Sequence, residues 1–265
     1  MAFQSIVPSE EGLSKAKELA AKALKLDDSL AEAHTSLAYV LPEGGLANWD
    51  GAEKEFEKAL RFNPSYATAH FWYAIQLLWL HRYSEAIDHG RQAEELDPLS
   101  PAISTALGQM LLYSRQYDEA IAHLEKKVMA FPEAAPPHFI LGIAYFYNGL
   151  YEKAEAEERK ALSLASMHER VETVLGMTLF KMGREKEAGE ILENLERSGA
   201  QFSLQAMFRL ELGEKERGIE LLHRAFRSKE SGLGWISVMP SFDPVRTDRR
   251  FLEIMRGLNL PTTPP

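Results

Sequence analysis

Alanine returns every 34 residues through the middle of this chain, at Ala52, Ala86, Ala120, Ala154 and Ala188. Ala74, Gly108, Gly142 and Gly176 keep the same interval, and so do Pro64, Pro98 and Pro132. Self-similarity at a fixed period requires like units that each bury an apolar face against the next, not one continuous globular core.

Each period reads as two amphipathic helices. In PLSPAISTALGQMLLYSRQYDEAIAHLEKKVMAFP, from Pro98, apolar residues recur at helical spacing. Small residues at Gly108 and Ala120 let the two backbones approach, the Ser114–Tyr117 turn interrupts the pattern, and Pro132 ends the second helix. The turns LHRYSEA, YSRQYDEA, YNGLYEKA and KMGREKEA each lead into an acidic first helical turn, which suits the positive end of a helix dipole. No segment alternates with period two, so no strand is expected.

These registers resemble the tetratricopeptide repeat. The small residue of motif position eight falls on Ala38, Ala74, Gly108, Gly142, Gly176 and Ala206. Position twenty falls on Ala16, Ala52, Ala86, Ala120, Ala154, Ala188 and Gly218. Position thirty-two falls on Asp28, Pro64, Pro98, Pro132 and Ser166. The resemblance covers roughly residues 10–228 and implies an all-α, right-handed superhelical solenoid of antiparallel helix pairs. The expected organisation is a solenoid of about six and a half repeats over 1–228, its first repeat truncated, then a loop and capping helix over 229–265. Two extra residues fall in the LPEGGLANWD turn, and the linker around Ser198–Phe202 is four residues short.

The ends differ. The first unit shows only a second helix, around Gly12–Lys25, which suggests a fragment cut inside a repeat. Its apolar face, with Leu19 and Leu24, predicts self-association through that end. At the other end Pro240 and Pro244 stop the pattern, Asp248 reads as an N-cap, and Arg249–Gly257 as a closing helix. GLGW at 232–235 reads as loop. Arg246, Arg249, Arg250 and Arg256 form a basic cluster that caps the last repeat or meets an acidic partner. The tail FDPVRTDRRFLEIMRGLNLP is similar to C-terminal repeat regions joined to bacterial serine/threonine kinases, nucleotide cyclases and winged-helix regulators. That resemblance implies a regulatory module following an effector domain.

Composition excludes several classes. A formal charge of −9, with 39 acidic against 30 basic residues, disfavours direct binding to nucleic acid or anionic lipid. With no cysteine there are neither disulfides nor thiolate zinc sites. No apolar run is long enough for a membrane span, and no signal peptide precedes the repeats, so a cytoplasmic location is expected, an exported domain of a membrane-tethered regulator being the other option. His34, His70 and His138 share motif position four and stand on successive units, too far apart for one metal; no metal or cofactor is expected. Glu152–Glu158 reads as a solvated helix face, and the Tyr83–Ser84 turn separates His81 from His89. Neither GxSxG, HExxH nor a phosphate-binding loop occurs, so no enzymatic activity is expected.

The resemblance also implies a concave groove lined by the first helix of each pair. Carried over position by position, it is lined by Phe71, Ile75, Trp79, Gln109, Tyr113, Phe139, Ile143, Phe146, Tyr147, Met177 and Phe180. The carboxylate-clamp residues of chaperone-binding relatives are absent at Thr68, Phe71, Trp72 and Ile75, and at Ala102, Thr105, Ala106 and Gln109. An aromatic groove suits an apolar or amphipathic peptide or helix from a partner or from a missing N-terminal domain, or these side chains pack between neighbouring helices. The expected function is a non-catalytic protein-interaction module. The alternative is a ligand- or peptide-sensing domain controlling an attached kinase, cyclase or DNA-binding effector.

Overall fold

The computed structural model describes residues 10–42, 47–164 and 168–263. Residues 1–9, Ser166 and positions 43–46 of the LPEGGLANWD turn lie outside them. Helix α1 (Glu10–Leu26) precedes six helix pairs: α2 (Ala31–Val40) with α3 (Trp49–Phe62), α4 (Ala67–Trp79) with α5 (Tyr83–Leu96), α6 (Ala106–Tyr113) with α7 (Tyr117–Ala130), α8 (Ala135–Tyr147) with α9 (Tyr151–Leu164), α10 (His168–Lys181) with α11 (Glu185–Ser198), and α12 (Phe202–Glu211) with α13 (Lys215–Arg227). No strand occurs among the described residues. The first helices α2, α4, α6, α8, α10 and α12 touch one another in succession and form a continuous inner row. A 3-10 turn, Ile103–Thr105, leads into α6, where Pro98 and Pro101 postpone the helical ladder.

The repeat shows in the backbone of each tight turn. His81, Arg115, Gly149, Gly183 and Gly213 all adopt positive φ, between 61° and 81°. Glycine takes this left-handed conformation freely, whereas each L side chain there costs on the order of 1 kcal/mol. His81 belongs to the turn, and α5 already begins at Tyr83, so the break between His81 and His89 lies before Tyr83 rather than at Tyr83–Ser84.

The position-four histidines join successive units. Nε2 of His34, His70 and His138 lies 2.9, 3.0 and 3.0 Å from the carbonyls of Asp28, Pro64 and Pro132, the residues of register thirty-two. Their Nδ1 atoms turn to the second helix, meeting Glu55 at 2.6 Å, His89 at 2.8 Å and Glu157 at 2.5 Å. His123, the repeat equivalent of His89, lies 2.9 Å from Glu94.

The acidic run on α9 is not wholly solvated. Glu158 is completely buried. One repeat interval away its place is taken by Leu124 and Leu192, so it occupies a core position. Its Oε1 accepts from Thr178 at 2.9 Å and its Oε2 has no partner. Burial pushes this carboxyl up to about 8.

After α13 the chain forms two 3-10 helices, Leu233–Ser237 and Pro240–Val245, then α14 (Arg249–Gly257). Asp248 caps α14 by accepting from the Arg250 amide at 3.0 Å. Helix α14 packs on α13 with Phe251, Ile254 and Met255 buried. Its far end meets the start of α3: the Trp49 indole donates to the Leu258 carbonyl at 2.8 Å, and the Asn259 amide to the Ala47 carbonyl at 3.0 Å. The C-terminal segment therefore crosses the inner row from the last pair back to the first. Three of the four arginines of the basic cluster are each paired with a carboxylate. Buried Arg246 pairs with Asp243 at 2.6 Å, Arg250 with Glu216 at 2.6 Å, and exposed Arg249 with Glu253 at 3.0 Å.

Candidate functional site

The eleven side chains drawn from the repeat pattern fall on four inner helices, and all but Gln109, Tyr147 and Phe180 are buried. The structure sorts them into three groups. Phe71, Phe146 and Met177 pack within the solenoid; Phe71 lies against Trp72, with ring centres 5.1 Å apart, and Phe146 against Tyr151 at 5.9 Å. Ile75 and Phe180 join the same apolar core. Trp79, Tyr113 and Tyr147 meet the C-terminal segment directly.

That meeting is aromatic at its centre and polar at its edges. Trp235 stands edge-on to Trp79 at 5.4 Å and tilted against Tyr113 at 5.0 Å, while Trp79 in turn meets Trp49 at 5.8 Å. Gly234 lies so close beneath Trp79 that a Cβ would sit 2.3 Å from the ring, which explains the glycine of GLGW. Ser237 donates to the Trp79 carbonyl at 3.0 Å, and His81 Nε2 donates to the Ser237 carbonyl at 3.2 Å. Tyr147 and Ser241 share a hydroxyl contact of 2.9 Å. Arg115 grips both carboxylate oxygens of Asp243, at 3.0 and 2.9 Å. Arg246 organises the segment itself by donating to the carbonyls of Ser237 at 2.7 Å and Met239 at 3.1 Å. Burial lowers the affinity of His81 for a proton and raises the hydroxyls of Tyr113 and Tyr147 well above the ordinary phenol value.

His81 and Arg115 were not singled out from the repeat pattern as groove residues, yet the sequence carries their signal. Aligned by the repeat, they stand where Gly149 and Gly183 stand in later turns. Both turns that carry a side chain at this position hold the segment.

Gln109, Tyr113, Phe139, Ile143 and Tyr147 line a partly open cavity between α6, α8, α10, the start of α12 and the C-terminal segment. Among the described residues no group of three or more His, Asp or Glu side chains could hold a metal ion. No described helix is long and apolar enough to cross a membrane.

The tetratricopeptide repeat profile matches residues 43–101 and 105–166. No curated protein sequence matches the chain. Among solved structures it is similar to a thermophilic TPR protein of Thermus thermophilus, with 22% identity and a TM-score of 0.55 over 76% of this chain and 98% of that one. PilW, a type IV pilus biogenesis factor, matches with 22% identity and a TM-score of 0.57, over 71% of this chain and 86% of that one. Human IFIT1, a dimer with m7Gppp-AAAA, matches with 14% identity and a TM-score of 0.65, over 94% of this chain and 61% of that one. At these identities the likeness is one of fold.

Proposed function

This chain is a tetratricopeptide-repeat protein, and from that premise we propose that it is a protein-interaction module whose groove is held in cis by its own C-terminal segment. Repeat proteins of this fold bind protein or peptide partners, and the observation that carries the finer reading is Trp235 lodged between Trp79 and Tyr113. Those are groove positions at which an aromatic anchor from a partner would gain most. A partner peptide presenting such an anchor competes with the segment, so the segment sets a threshold that only a ligand with differential affinity for the released form overcomes. The chain on this reading serves a regulatory role, with segment release as its response.

The test compares the full chain with an Asp243→Ala variant, both checked for folding by circular dichroism. A protein captured more strongly by the variant and displaced by a synthetic peptide of residues 229–260 supports competition for the groove. Capture that this peptide leaves untouched places the partner on another surface and refutes it.

Self-association through α1 is a separate part of the proposal, supported by Leu19 at 55% and Leu26 at 90% exposure. Light scattering showing a monomer at high concentration rejects it.

A further inference from the structure

The C-terminal segment does not fill the inner row completely. The cavity under residues 231–242 has helical walls that include Phe139, Ile143, Val174 and Met207, and the segment adds Trp235 and Phe242. Its lining is mainly apolar with a few polar groups, the make-up of sites at which polar side chains fix a ligand's orientation.

Two lining groups lack the partner their chemistry calls for. Arg170, at the start of α10, is half-buried and makes no ion pair or hydrogen bond among the described residues. Other arginines of comparable exposure are matched: Arg82 with Glu53, Arg184 with Glu155, Arg209 with Glu196 and Arg115 with Asp243. The second group is Gln201, whose Nε2 is buried without an acceptor. A buried amide donor left unpaired is disfavoured, and a guanidinium beside apolar walls gains most from a planar anion that accepts two hydrogen bonds. Both groups line the same cavity.

We infer that this cavity binds a small apolar monocarboxylate, its carboxylate received by Arg170 and Gln201 and its hydrocarbon body lying among Phe139, Ile143, Trp235 and Phe242. The geometry selects the class. Arg170 is the one charged side chain of a mainly apolar lining, which disfavours a polyanion, and a single carboxylate matches it together with the unpaired Gln201 amide. The segment supplies one wall, so the ligand favours the segment in its docked position. The site needs no displacement of the segment and stands whether or not a protein partner competes for the groove.

The probe is decanoate, below its micelle concentration, with decanol as the uncharged control, in calorimetric titrations of the full chain. The expected result is one saturable decanoate site, binding more tightly than decanol and weakened about tenfold in Arg170→Gln, a change that leaves decanol binding alone. Tryptophan fluorescence should shift on binding, and that shift should be lost in Trp235→Phe while the heat of binding persists. Arg170 lies at a helix start and is half-buried, so its substitution spares the fold, which circular dichroism verifies. No saturable binding of decanoate overturns the inference. So does equal affinity for decanol and decanoate, or decanoate binding that ignores Arg170→Gln.

Discussion

Arg115 and Asp243 are 128 residues apart in the chain, yet the guanidinium of one holds both carboxylate oxygens of the other at 3.0 and 2.9 Å. Arg115 does this from a left-handed turn, with φ at 65°, where glycine stands in later repeats. Backbone strain and segment docking are thus joined in one residue.

Replacing Arg115 separates the two. In Arg115→Gly the ion pair is lost but the turn relaxes by about 1 kcal/mol, so the melting temperature should hardly change. Arg115→Ala loses the pair and keeps the strain, and should be about 1 kcal/mol less stable than Arg115→Gly. Both should speed hydrogen exchange in residues 237–245. Asp243→Ala should cost more, about 2–3 kcal/mol, because it also leaves buried Arg246 without its carboxylate. Thermal melts with exchange mass spectrometry decide the order, and Arg115→Ala proving as stable as Arg115→Gly would falsify the strain argument.

Gly234 allows the segment to lie under Trp79. A methyl group 2.3 Å from the indole cannot be accommodated without moving one of them. Gly234→Ala should therefore destabilise by about 1–3 kcal/mol and alter the near-ultraviolet circular dichroism of the tryptophan cluster. An unchanged spectrum and melt would show that the segment is not held against Trp79.

Glu158 should make the solenoid weaker toward alkaline pH. Its folded value, about 8, lies above the ordinary 4.5, so the folded state keeps a proton that the unfolded chain releases. The favourable contribution is complete below about pH 4.5 and is lost as pH rises to about 8, after which it is flat. Glu158→Gln should abolish this limb, and its advantage over the natural chain should grow across that range to a few kcal/mol, on the order expected for a displaced buried carboxyl. Denaturant melts at pH 5, 7 and 9 measure it; parallel curves for the two proteins would contradict the buried site.

His89 should act on the acid side. Burial first, and His70 second, lower its proton affinity to about 4, below the ordinary 6.5. Stability from this site is complete above pH 6.5 and is lost as pH falls toward 4, because the unfolded ring takes up a proton sooner. His89→Glu places at this position the residue found one repeat on either side of the His89–His123 pair, at Glu55 and Glu157. His70 then gains the carboxylate that His34 and His138 already have, and the loss between pH 6.5 and 4 should shrink. A variant as acid-sensitive as the natural chain would assign that limb to other groups.

Much of this molecule was legible from spacing alone. The 34-residue registers led to the helix pairs, and the inner helices carried the aromatic side chains named from them, because small-residue contacts, turns and helix stops are local and recur in every unit. The closing helix and its Asp248 cap were local as well. Glu158 escaped because charge along one helix was read without the neighbouring unit that buries it, although the Leu124 and Leu192 register marks its place as core. What covers the aromatic row was decided by tertiary structure alone. The Trp49–Leu258 and Trp79–Ser237 bonds join residues 209 and 158 positions apart. Such contacts depend on how six stacked pairs curve to bring the C-terminal segment back across the inner row, and the segment itself follows no repeat. A periodic pattern specifies each unit and its neighbour; it holds no information about a unique segment that meets several units at once.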